Sequence, residues 1–304
     1  MPRIYSIVRL RKIVFSCALT ALVLPWLARA ANVDEHHPAN PQGVVEIDNV
    51  SGSIELQGWD KGEVSVTGTV GKDVERVDVT GDGNHTSIRV VLPQGHHWGS
   101  QDGSAHLLIH VPTNSSISAS FVSSDLKVSA IQGGLELRTV SGNISGEGGG
   151  DVHANSVSGD IHLDVQAAKH IEVKTISGSI VLNGKPAEIE ATTVSGTARL
   201  TLGTVSRARF KTISGDISAA LAAAPDAQIE GESVSGDFKL DFATTPAADF
   251  DIQTLSGDID NCFGPKPDES RHGPGKRLSF RTGDSAAHVR VSTRSGDVRL
   301  CVKK

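Results

Sequence analysis

The chain has 304 residues, 29 Lys and Arg against 35 Asp and Glu, and a formal charge of −6, with 32 glycines but one Tyr and three Trp. Without its basic first thirty residues it keeps 24 basic against 35 acidic side chains, a net of −11. That balance argues against nucleic acid or an anionic bilayer as partner. Abundant Gly beside Val, Ile, Leu and Thr points to many short strands joined by tight turns, in one or two domains.

Residues 1–30 read as a signal peptide. Arg3, Arg9, Arg11 and Lys12 precede the apolar run "IVFSCALTALVLPWLA", and "ARA" at 28–30 places cleavage between Ala30 and Ala31. The run is short for a membrane helix and no second one occurs, so the mature chain is expected to have no transmembrane span and to be exported. Cys17 lies too early in the run for a lipid anchor. Residues 31–42, with His36 and His37, read as a flexible polar leader.

Residues 43–120 form an irregular β region. "GVVEIDNVSGSIELQGW" at 43–59 is a strand–turn–strand unit, and "EVSVTGTV", "RVDVTGDG", "SIRVVLP" and "HLLIHVP" are further strands, either as longer coils or as a cap on the first regular coil. His96, His97, His106 and His110 show no metal-ligand spacing and read as loop or surface residues.

From 121 to 304 the sequence repeats. "TVSGNI", "SVSGDI", "TISGSI", "TVSGTA", "TISGDI", "SVSGDF", "TLSGDI" and "TRSGDV" share one frame, with Gly142, Gly159, Gly178, Gly196, Gly215, Gly236, Gly257 and Gly296 at the corner. From Ser141 to Ser256 the intervals are 17, 19, 18, 19, 21 and 21 residues, and 39 residues, about two periods, separate Ser256 from Ser295. Period-two alternation flanks each corner, as in Ile171 and Val173 before one and Ile180 and Leu182 after it. The expected fold is all-β: a β-solenoid of ~18–21-residue strand–SerGly turn–strand coils, stacked about 4.8 Å apart around a shared core. Glycine is expected at the corner for a backbone conformation that a side chain would penalise. The branched residue before Ser-Gly is expected to pack inward. The Pro- and Gly-rich stretch 263–276 reads as a surface loop, and "RLSFRTG" as an extra strand after it.

Cys262 and Cys301 each follow their corner Ser by six residues, which puts them on equivalent positions of stacked strands, within disulfide reach. Two free thiols or an incomplete metal site are the alternatives, and a strand at 278–283 could separate the pair.

The repeat, "SGSIELQGW", "IHVP" and the ending "GPGKRLSF…VRVSTRSGDVRL" resemble a bacterial family of exported β-strand-repeat proteins, catalogued as putative adhesins and as a domain of unknown function. The resemblance covers roughly residues 43–302. It implies a β-solenoid without established enzyme activity and brings no catalytic residues.

The residues themselves point the same way. Asp160, Asp216, Asp237, Asp258 and Asp297 follow the corner and would line one edge with Asn143, Ser179 and Thr197. Such a ladder could bind calcium or sugar, but turn chemistry accounts for it. Polysaccharide-active β-helices cluster acidic residues on one face, whereas charge here is scattered. Only Trp59 and Trp98 could serve as glycan platforms. The expectation is an exported, non-enzymatic binding or structural protein of the periplasm, cell surface or extracellular space. Its ligand would be an envelope or surface protein or glycan, with no cofactor and no catalytic or metal-binding residues assigned. A carbohydrate-active enzyme on a β-helix and a periplasmic accessory or stress-response protein are the contending classes.

Overall fold

Among the described residues, alternating apolar and polar side chains give 23 strands in one continuous hydrogen-bonded sheet. The computed structural model describes residues 31–93, 103–269, 275–284 and 286–303. The signal-peptide reading, Ala30, His96, His97 and Trp98 fall outside them. Among the described residues there is no α-helix, and none that could cross a membrane.

The chain begins with β1 (Ala31–Pro38), β2 (Val44–Trp59), β3 (Glu63–Val70), β4 (Arg76–Gly81), β5 (His85–Val91), β6 (Ala105–Pro112) and β7 (Ser116–Ile131). Then come β8 (Leu135–Thr139), β9 (Ile144–Gly148), β10 (Val152–Ser156), β11 (Ile161–Val165), β12 (His170–Thr175), β13 (Ile180–Gly184) and β14 (Glu188–Thr193). Two long strands come next, β15 (Ala198–Thr212) and β16 (Ile217–Ser233), then β17 (Phe238–Phe242) and β18 (Ala248–Ser256). The chain ends with β19 (Ile259–Asn261), β20 (Asp268–Glu269), β21 (Lys276–Thr282), β22 (Ala287–Ser295) and β23 (Val298–Val302).

The middle of the molecule is a solenoid-like stack in which strands pair in parallel with their counterparts one repeat away. β10 lies between β8 and β12, and β11 between β9 and β13. Register keeps equivalent side chains in columns: Val152 opposite Ile171, Ile171 opposite Ile189, Ile189 opposite Ala208, and Ala208 opposite Ile229. All five are buried. A second column runs through Ile161, Ile180, Ala198, Ile217 and Phe238. Because strand side chains alternate, the two columns face one interior while His170, Glu172 and Lys174 face out. No single repeat could bury its apolar strip alone, so stacking is what makes the core.

Both ends depart from sequence order. β2 pairs on one side with β7 and on the other with β5 and β6, so the first long strand is not the first layer. β4 on β5, and β3 on β6, then cap that outer layer in antiparallel fashion. At the far end, β22 and β23 insert between β16/β17 and β18/β19. β21 covers the open edge of β18 antiparallel, with Phe280 stacked on Phe250 at 4.5 Å. The strand expected after the Pro- and Gly-rich stretch is therefore present, but it lies outside the pair of layers that carry the cysteines. The last residues of the chain form the penultimate layer.

Residues 31–38 are a correction. Expected as a mobile leader, they form β1, antiparallel to β3 along its full length. Most β1 side chains are exposed, so the strand carries no apolar alternation that a sequence reading could detect.

Candidate functional site

The Ser-Gly corners line up one above another, and each of their positions has its own task. At the six corners from Gly142 to Gly236 the residue three before the glycine is a Thr or Ser whose hydroxyl accepts the glycine N–H, as Thr175 does from Gly178 at 3.0 Å, Thr193 from Gly196 at 2.9 Å and Thr212 from Gly215 at 2.8 Å. This satisfies a backbone donor that no strand reaches.

The corner glycines stack directly. A Cβ on Gly159 would lie 1.8 Å from the Gly142 carbonyl oxygen, one on Gly196 1.8 Å from that of Gly178, and one on Gly236 1.9 Å from that of Gly215. None of the eight corner glycines has a positive φ. The expectation that glycine is needed there for its backbone conformation is thus corrected: it is needed because the next layer's backbone occupies the side-chain position. The column ends out of sequence order, with Gly296 over Gly236 and Gly257 over Gly296.

The acidic edge is engaged in the same stacking. Asn143 accepts the Asp160 N–H at 3.0 Å, and Asp160 accepts the Ser179 N–H at 2.7 Å. Asp216 accepts from Asp237 at 3.1 Å, Asp237 from Asp297 at 2.7 Å, and Asp297 from Asp258 at 2.7 Å. The side chains cap the neighbouring layer rather than their own turn.

The branched residue before each Ser-Gly is the second correction, because it points outward. Val140, Val157, Ile176, Ile213, Val234 and Leu255 are 40–52% exposed, the largest exposed apolar side chains of the described residues apart from Val44. The inward place is taken by the Thr or Ser that caps the glycine. Backbone bonds fix the row: the N–H of Ser158 reaches the carbonyl of Val140, that of Ser177 reaches Val157, Ser195 reaches Ile176, Ser214 reaches Val194, and Ser235 reaches Ile213. From Val140 to Val234 the row crosses six layers, with half-buried Val194 between the exposed Ile176 and Ile213, and offers roughly 400 Å² of exposed aliphatic surface, within the size range of functional patches. It ends at Arg294 and at a shallow depression of about 590 Å³ that Val234, Leu255, Lys276, Arg277 and Arg294 help to line.

The charged face of the strands differs. It neutralises itself across layers through Arg207–Glu188 at 3.3 Å, Arg209–Glu230 at 3.2 Å and Lys127–Glu55 at 3.0 Å. Such exposed pairs contribute little stability each, about 0–1 kcal/mol.

Cys262 and Cys301 are joined by a disulfide with a Cα–Cα distance of 4.9 Å. It links the outermost regular layer to the inserted one, since Asn261 pairs with Leu300. Trp59 is stacked on His110 at 4.8 Å, and Lys61 sits 4.3 Å above its ring. His106 bonds Ser53 at 2.8 Å. His36 and His37 lie beside Asp34 and Glu35, at 3.2 and 3.9 Å.

Sequence reading passed over one side-chain cluster. His153 on β10 stands opposite Glu172 on β12, and His170 precedes Glu172 by two positions on the same outward face. His153 Nδ1 is 3.0 Å from Glu172 Oε2, and the two imidazole centroids are 5.5 Å apart. Lys174 bonds the other Glu172 oxygen. That ammonium, and after it the His153 ring, holds the Glu172 carboxyl below the usual carboxylate range. The 19-residue repeat step is the signal that would have placed His153 against Glu172.

An all-β, solenoid-like stack with capped ends and a corner ridge defines a repeat-scaffold protein. The chain belongs to the Toastrack DUF4097 family, whose model matches residues 43–301. Among curated proteins no match is found. It is similar to the crystal structure of a putative adhesin from Bacteroides fragilis NCTC 9343, at 12% identity and TM-score 0.41, covering 90% of this chain and 98% of that one. It is also similar to a putative lipid binding protein from Parabacteroides distasonis ATCC 8503, at 13% identity and TM-score 0.46, covering 89% and 97%. A putative adhesin from the same organism matches at 10% identity and TM-score 0.41, covering 90% and 98%.

Proposed function

We propose that this chain is an exported, non-enzymatic, adhesin-like β-solenoid of the bacterial envelope, built of 18–21-residue coils, whose corner ridge docks against the ridge of a second copy. The observation that carries this reading is the aliphatic row from Val140 to Val234, exposed at five of its six positions, all but Val194. Its repeat is the strand spacing, about 4.8 Å. A second stack with the same repeat can interdigitate with it along its whole length, whereas a lone extended peptide, whose same-face side chains recur about every 6.6 Å, cannot. A glycan would want aromatic platforms, and Trp59 already has His110 and Lys61 on its ring. Export rests on the basic and apolar pattern of residues 1–30.

The ridge supplies only roughly 400 Å² of apolar area per copy, which places a single contact at the weak end of specific interfaces. Many parallel contacts between neighbouring cells or molecules would add up through avidity. Sedimentation equilibrium of the purified protein tests this. Concentration-dependent dimers are expected, reduced to monomer by Ile176→Asp with Ile213→Asp. A wild-type monomer at every concentration, or dimers that survive both substitutions, would overturn the ridge contact. Labelling of intact cells with antibody tests exposure separately.

A further inference from the structure

We propose that His153, His170 and Glu172 form a surface site for a divalent transition-metal ion of the zinc class. One ligand atom from each of the three lies within 4.8 Å of the other two. Among the described residues the only other such group is Asp260 with Cys262 and Cys301, whose sulfurs are bonded to each other. In a tetrahedral zinc site, bonds of about 2.1 Å put neighbouring ligand atoms about 3.4 Å apart. His153 Nδ1 and Glu172 Oε2, hydrogen-bonded at 3.0 Å, need to part by only about 0.4 Å to reach that separation. The His170 ring needs only a side-chain rotation, which its 38% exposed side chain leaves room for.

The cluster is held from below. Asp151 accepts the N–H groups of both Lys169 and His170 at 2.9 Å, which fixes the start of β12 and therefore the root of the His170 side chain. On the next layer, Glu188 Oε2 lies 3.8 Å from His170 Nδ1 and offers a fourth ligand atom. Two imidazoles with carboxylate oxygen favour zinc, copper, nickel or cobalt over calcium or magnesium, which prefer all-oxygen sites. The surrounding cations set the strength. Lys174 sits on Glu172 Oε1, and Arg207 is 3.3 Å from Glu188. Both repel an incoming ion, so the site binds more weakly than a closed structural zinc site and exchanges its ion with solvent. Among the other described residues, histidines beside acids stand as pairs, such as His85 with Glu46 and His288 with Asp249.

The test is titration of the purified protein with Co²⁺, followed by its visible ligand-field absorption, and displacement with Zn²⁺ followed by calorimetry. One ion per chain is expected. His153→Ala and His170→Ala should each weaken binding at least ~10-fold, and Lys174→Ala should tighten it. His36→Ala with His37→Ala should leave it unchanged. All these side chains face outward, so circular dichroism should show the same strand content in each variant. Glu172→Gln provides a second, near-isosteric probe of the same site. Absence of stoichiometric uptake by the wild type, or uptake that survives both His153→Ala and His170→Ala, would overturn the assignment.

Discussion

At Gly196 a methyl group would stand 1.8 Å from the carbonyl oxygen of Gly178, a backbone atom that cannot swing aside. Relief would require separating two layers that are otherwise joined strand to strand on both sides of the corner. Gly196→Ala should therefore lower stability by about 2–4 kcal/mol, the cost of forced overpacking in a rigid interior. Chemical-denaturation midpoints against the wild type would measure it, and a change below about 0.5 kcal/mol would mean the corner has slack. The sequence displayed this glycine plainly and hid its reason. A repeat frame identifies which residue sits at a corner, but the atom that excludes a side chain there belongs to the layer 18 residues earlier. Val140, Ile176 and Ile213 show that residue type misleads at the corner. Period-two alternation carried on from Ile171 and Val173 puts Thr175 inward and Ile176 outward, and only the apolar character of the branched residue pointed the other way. The slot facing the interior goes to the hydroxyl of Thr175 or Thr212, because a buried glycine N–H needs an acceptor more than the core needs one more methyl group.

Each strand depends on the connection that delivers it to its layer, and β12 shows how. The carboxyl of Asp151 lies below the ordinary carboxylate range, chiefly because the His170 N–H points at it and then because the Lys169 N–H does. Unfolded, the same carboxyl titrates near 4. A lowered folded value means that its contribution is fully present at neutral pH, starts to fade as the pH falls through about 4, and is gone below the folded value. Melting temperatures of wild type and Asp151→Asn should thus differ most at neutral pH and converge in acid. A gap that stays constant across that range would show that the charge of Asp151 has no part in docking β12. At this scale the sequence was most informative where one strand face is buried. The alternation around Ile171 and Val173, or Ile180 and Leu182, marks strands that the structure contains. It was silent on β1, which pairs at an edge with most of its side chains in solvent. It was silent too on His153 and His170, whose proximity exists only once β10 and β12 are laid in register.

The molecule as a whole is not stacked in the order in which it is written. From β7 to β16 and β17 the layers follow the chain, but the next layer inward from the end is β22 with β23, and β18 with β19 lies outside it. The 39 residues between Ser256 and Ser295 looked like two coils in succession, because a period counts layers without ordering them. The consequence is mechanical. β18 and β19 reach the stack only through β22 and β23, and the disulfide between Cys262 and Cys301 ties them to that inserted layer. A bridge enclosing 39 residues restricts the unfolded chain by an amount worth about 4 kcal/mol on the chain-entropy model. In a stack where each layer touches only its neighbours, that stabilisation stays local. Cys262→Ala with Cys301→Ala should therefore speed amide exchange in β18, β19 and β21 by orders of magnitude, while β10 to β14, several layers away, keep their protection. Uniform loss of protection along the chain would instead mean that the stack unfolds as one unit. No change anywhere would mean that the inserted layer, with Phe280 packed on Phe250 above it, holds the end without the bridge.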